Sequence, residues 1–191
     1  MRLISILLFL SISTSANNTF ISMSILPSTT SKQVMVYEDA YNYQRSEGDL
    51  MSIIFSFGYR SHLYSDLYLE SIISLRVGYA DIYEHTSYSM EFPVVYVFNI
   101  FDQKMSIGAG PKVLYNANIN QPYGELYELT SPLFNYGGAI NYIIEGKYLD
   151  FFITYEHLFD DVKFRGRERQ EVKGIIKTKG DYLGYGVRFK F

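Results

Sequence analysis

The chain has 191 residues and contains no cysteine and no tryptophan, with only three histidines and five prolines. Without cysteine there is no disulfide framework, no thiolate nucleophile and no lipid-modified N-terminal cysteine. Three scattered histidines (His62, His85, His157) do not make a zinc site. No run beyond the N-terminus approaches the roughly 20 apolar residues that a helical membrane span needs. A glycine-rich phosphate loop between a strand and a helix is also missing, so nucleotide binding has no support. The net charge of −3 is too mild to imply a nucleic-acid partner. No cofactor and no metal is expected.

What is present begins with an export pattern. Arg2 precedes the apolar run Leu3 to Ile12, and Ser13-Thr14-Ser15-Ala16 supplies a small-residue end. The run is about half the length of a membrane span, so a signal peptide over 1–16, cleaved after Ala16, is expected rather than an anchor. Residues 17–191 then form one domain. Nineteen tyrosines, 14 phenylalanines and 14 glycines favour strands with close backbone packing.

Period-two alternation marks eight strands: Thr19–Leu26, Leu50–Arg60, Asp66–Ala80, Ser87–Phe101, Lys104–Asn116, Leu133–Glu145, Tyr148–Phe159 and Asp181–Phe191. Val34–Tyr43 competes for the first place. In the last strand Tyr185, Val187, Phe189 and Phe191 share one face; Gly186, Arg188 and Lys190 share the other. Met105, Ile107, Ala109, Val113 and Tyr115 oppose Lys104, Ser106, Lys112 and Asn116 in the same way. Ser61–Ser65, Asp102–Gln103 and Gly146–Lys147 are brief turns. Longer links cover Pro27–Asp49, Asp81–Thr86, Ala117–Pro132 and Asp160–Gly180. Alternating short and long connections on two-faced strands predict an all-β fold: an eight-stranded antiparallel up-and-down transmembrane β-barrel, with short periplasmic turns and long extracellular loops. The expected location is the outer membrane of a Gram-negative bacterium.

The inward rows carry Glu70, Arg76, Glu91, Lys112, Asp150, Glu156, Arg188 and Lys190. An eight-stranded barrel is only wide enough for side chains to fill it. Four acids against four bases favour mutual pairing over a selectivity ring of one sign. The alternative is a narrow ion pathway. Residues 162–180 carry seven basic groups (Lys163, Arg165, Arg167, Arg169, Lys173, Lys177, Lys179) against Glu168 and Glu171. This loop suits lipopolysaccharide phosphates or another anionic partner, or it is a solvated hairpin extending two strands. Tyr37, Tyr41 and Tyr43 in the first long link, and Tyr123 and Tyr127 in the third, read as interfacial girdle rather than as a binding site. His85-Thr86-Ser87 invites a hydrolase reading, but no third group orients the pair, and no catalytic residue is assigned.

Met90-Glu91-Phe92-Pro93-Val94-Val95-Tyr96 followed by Ser106-Ile107-Gly108-Ala109-Gly110-Pro111-Lys112-Val113-Leu114-Tyr115 resembles the PorT-like outer membrane β-barrel domain family. Tyr148–Leu158 and Gly184–Phe189 look like that family's last two strands. The likeness covers Leu50 to Phe191; the first strand departs, lacking glycines around Ile21–Ile25. It implies the barrel and says little of activity. It also implies that the row Tyr185, Val187, Phe189, Phe191 is read by the outer-membrane assembly machinery. The expected function is therefore a non-enzymatic envelope barrel whose loops meet lipopolysaccharide or a partner. A narrow ion or small-solute channel, or a lipid-modifying enzyme, stands as the alternative.

Overall fold

The computed structural model describes residues 18–27, 33–39, 42–48, 51–80, 83–120, 127–166, 173–176 and 178–191. The expected signal peptide lies outside them. Nine strands close a barrel: β1 (Thr19–Pro27), β4 (Met51–Tyr64), β5 (Leu67–Ala80), β6 (Tyr83–Glu91), β7 (Val94–Ile100), β8 (Gln103–Asn120), β10 (Phe134–Ile144), β11 (Leu149–Leu158) and β14 (Gly180–Lys190). β6 and β7 are two halves of one interrupted strand, so the wall has eight positions, all antiparallel. It runs β1, β4, β5, β6/β7, β8, β10, β11, β14 and returns to β1. Full closure leaves no sheet edge in the wall. Thr19–Leu26 is thus the first barrel strand, and Val34–Tyr43 is not.

The remaining five strands lie within the expected long connections. β2 (Gln33–Asp39), β3 (Asn42–Gly48), β9 (Tyr127–Ser131), β12 (Val162–Gly166) and β13 (Lys173–Ile176) form a second sheet in the order β3-β2-β13-β12-β9. Three of the long links therefore carry paired strands. The fourth, Asp81–Thr86, nearly vanishes because β5 and β6 run up to Ala80 and Tyr83. Alternation is short in β9, β12 and β13, and while β12 and β13 pair with each other, their outer edges are paired by the distant β9 and β2. The tyrosines expected at a girdle are moved accordingly: Tyr37 and Tyr43 lie on β2 and β3, and Tyr127 on β9. Tyr41 and Tyr123 fall outside the described residues.

Pro93 explains the break between β6 and β7. Proline brings no N–H to a ladder and is excluded from a paired strand interior. Around it the backbone stays bonded: Phe92 N–H donates to Pro111 O at 3.2 Å, and Glu70 N–H donates to Pro93 O at 3.0 Å. The facing Gly110 has to be glycine, since a Cβ there would stand 2.4 Å from Phe92 O and 2.5 Å from Pro93 Cα. The Gly-x-Gly-Pro pattern is the imprint of that contact.

The turn after β7 consists of Phe101 and Asp102, at φ 48° and 64°. Two left-handed residues are what a two-residue hairpin needs to match strand twist. The expected Asp102–Gln103 turn is therefore shifted by one residue. At the opposite rim Leu26, Ile54, Leu114, Leu158 and Tyr182 form an apolar cluster inside the barrel. Tyr182 also donates from its hydroxyl to Thr178 O at 2.6 Å.

Candidate functional site: the charged lumen

Side chains on the inward rows meet across the bore, and two carboxylates act as hubs. Glu156 on β11 accepts from Arg76 Nη1 at 3.2 Å and from Lys112 Nζ. β5 and β11 stand opposite in the wall, so the Arg76 pair spans the lumen. Lys112 is 1 % exposed and bonds Glu91 at 2.6 Å on its other side. The second hub is Glu70, which takes both terminal nitrogens of Arg188 at 2.8 and 3.1 Å and Arg60 Nε at 2.8 Å. The forked Arg188 pair fixes orientation as well as charge. Arg188 also lies 3.8 Å over the Phe20 ring. Lower still, Arg60 Nη1 reaches Glu145 at 2.6 Å, and Lys190 pairs with Asp150 at 2.7 Å.

All eight residues singled out in the inward rows thus come together, seven of them buried and Lys190 partly exposed. Arg60 and Glu145 complete the network and were missed. Arg60 shares parity with Ser52 and Ile54, and Glu145 with Asn141 and Ile143. Both are the last residues of their expected strands, so following each inward row to its end would have found them. Charges buried at this depth are tolerated because each finds opposite charge; a lone one would cost several kcal/mol.

Little space remains between the hubs. A cavity of about 30 Å³ among Ser24, Asn141, Thr154, Glu156 and Arg188 has room for one or two waters and not for a solute. Above it the apolar cluster of Leu26, Leu158 and Tyr182 covers the extracellular end.

His85 and Ser87 both point inward from β6 and are buried. Two positions apart on one strand face, they are separated by about 7 Å, beyond hydrogen-bond reach. No base–nucleophile pair is formed. Among the described residues no group of three His, Cys, Asp or Glu side chains could hold a metal ion. The basic segment is partly neutralised. Arg165 on β12 bonds Glu128 at 2.9 Å, and Lys173 lies on β13. Lys163 and Lys179 are exposed, whereas Arg167, Arg169 and Lys177 lie outside the described residues.

The outer wall has the opposite character. Met23, Phe55, Ile73, Met90, Ile107, Ile140, Ile153 and Tyr185 give an exposed apolar side chain on each of the eight wall positions. Phe189 and Phe191 continue that face at the C-terminal end. The apolar row of β11 and β14 ends extracellularly at a polar cluster, where Tyr155 donates to Asp181 Oδ1 at 2.5 Å and His157 Nδ1 lies 2.7 Å from the same oxygen. Apolar outside, charged inside and closed on itself, this barrel is built for hydrocarbon rather than water. It belongs in the outer membrane of a Gram-negative bacterium.

Solved structures to which the chain is similar are small barrels of that kind. Neisserial surface protein A (NspA) is 15 % identical, with 91 % of this chain and 97 % of that chain covered and a TM-score of 0.48. Ail, the attachment invasion locus protein of Yersinia pestis, is 14 % identical over 90 % and 99 % of the two chains, with a TM-score of 0.31. An outer membrane channel from Pseudomonas putida F1 is 11 % identical over 91 % and 96 %, at a TM-score of 0.33. No family model and no curated protein matches the chain.

Proposed function

We propose that the chain is a non-enzymatic outer-membrane barrel, closed to solutes, that works through its extracellular strands. The observation that carries this reading is the filled bore. Arg76–Glu156 and Arg60–Glu145 cross it, with about 30 Å³ left between the hubs. Long connections raised into a second sheet supply a surface, and its exposed cations, Lys163 and Lys179, suit lipopolysaccharide phosphates or an anionic partner. The pattern from Met90 to Tyr115 supports placing the chain with PorT-like barrels. The outward row Tyr185, Val187, Phe189 and Phe191 supports reading by the assembly machinery during insertion.

Planar-bilayer recording tests the closed bore. The expected outcome is no sustained single-channel current; steady, large currents would make the protein a porin and end this reading. For a lipid-modifying enzyme, Ser87 would have to matter: lipid A composition is expected to be the same in cells carrying the native chain or Ser87→Ala.

A further inference from the structure

The periplasmic end of the lumen is not filled like its middle. It widens into a cavity of about 350 Å³ between the start of β1, the end of β14 and the turn joining β10 to β11. We propose that this mouth is a binding site for a peptide chain end presented from the periplasm, a free carboxylate with an apolar side chain beside it.

Charge argues for the carboxylate. The lining carries Arg60, Lys104, Lys147, Arg188 and Lys190 but one acid, Glu145. Arg188 is committed to Glu70, and Lys190 to Asp150 at 2.7 Å and Gly146 O at 2.6 Å. Glu145 is held by Arg60 at 2.6 Å, which leaves Lys104 at a looser 3.4 Å with its side chain 55 % exposed. Lys147 has no carboxylate within ion-pair reach among the described residues; its ammonium stands 4.9 Å from the Tyr148 ring. Counting Glu70, Asp150 and the Phe191 carboxylate against the five cations still leaves positive charge in excess. Asp66 and Asp102 sit on neighbouring turns and do not line the cavity.

Shape argues for a peptide end over a bare ion. Phe20, Tyr68 and Tyr148 give the cavity aromatic walls next to its cations. The volume falls at the lower end of the range for small-ligand sites, about 300–1,000 Å³. A carboxylate can be met by Lys104 and Lys147 while the terminal side chain lies on the rings. The site shares its rim with the turns Ser65–Asp66 and Phe101–Asp102, which places its opening on the periplasmic side.

The test is fluorescence polarisation of the detergent-solubilised barrel at low salt, using dansyl-Ala-Ala-Phe as the free acid and as its C-terminal amide. The acid is expected to bind at least tenfold more tightly than the amide. Lys147→Glu lies on an exposed turn outside the ion-pair network, and it should weaken acid binding at least tenfold while the folded barrel keeps its heat-modifiable gel shift. Should that variant lose the shift, Lys104→Gln decides in its place. Equal binding of acid and amide, or full acid binding by the deciding variant, overturns the proposal. Displacement of the acid by inorganic phosphate at matched concentration also overturns it, leaving a plain anion site.

Discussion

At the scale of the residue, the lumen stands on a few side chains with no alternative partners. Glu156 holds Arg76 and Lys112 together, so Glu156→Gln leaves Lys112 with Glu91 alone and strips buried Arg76 of its carboxylate. Removing one member of such a buried pair costs about 3–5 kcal/mol. Urea unfolding followed by far-ultraviolet circular dichroism should show that loss, and Lys112→Met combined with Glu156→Met should recover part of it. The glycines permit a sharper comparison. An alanine Cβ at position 110 would sit 2.4 Å from Phe92 O, whereas at position 138 its nearest neighbour is Gly110 O at 3.8 Å. Gly110→Ala is therefore expected to abolish the heat-modifiable folded form, and Gly138→Ala to keep it. Refolding both variants side by side checks this, and equal refolding would mean that the contact with Phe92 and Pro93 is loose.

Strands, rather than loops, make up most of this protein, and their two faces obey different solvents. Ile140 lies in the middle of β10 with its side chain 47 % exposed, in register with Ala109 on β8 and Tyr155 on β11. On the hydrocarbon face Ile140→Arg should cost about 2–4 kcal/mol in lipid. The same substitution at exposed Leu63, near the turn at the end of β4, should cost much less. Unfolding titrations in liposomes give both values, and equal costs would contradict placement of this face in hydrocarbon. The second sheet has a different dependence. β12 and β13 pair with β9 and β2, far apart in sequence, and touch the barrel through short links. Gaps in the apolar alternation make such strands hard to see one at a time.

For the whole molecule, closure of the wall and filling of the bore are one event. The charges on β5 and β11, or on β4 and β10, can pair only when the eighth strand meets the first. That coupling makes the rim sensitive to acid. Burial alone would raise the carboxyl of Glu145, just past the end of β10, but Arg60 and Lys104 outweigh burial and hold it down at about 2. Its folded value lies below the ordinary carboxyl value of 4.5, so the pairing adds stability above 4.5 that is lost as pH falls towards 2. The difference in unfolding midpoint between the native chain and Glu145→Gln should accordingly shrink between about pH 5 and about pH 2. A constant difference would mean that Glu145 is not paired in solution.

Much of the wall was written locally. Alternation in Lys104–Asn116 or Tyr148–Phe159 assigns a face to each side chain, because a strand has no freedom to present neighbours to the same side. Parity alone therefore picked out Glu70, Lys112, Glu156 and Arg188 as inward. Which of them pair was decided by tertiary structure: Glu70 and Arg188 lie 118 residues apart, and their meeting depends on the shear and closure of the whole barrel. The same holds for the second sheet: β2–β3 and β12–β13 are local hairpins, but the pairings β13–β2 and β12–β9 that join them to each other and to β9 link distant parts of the chain. The periplasmic mouth, too, exists only where six strands end on one rim. Sequence determined which solvent each face of each strand must meet. Only the closed barrel decided which charge answers which, because that depends on distances that no single strand contains.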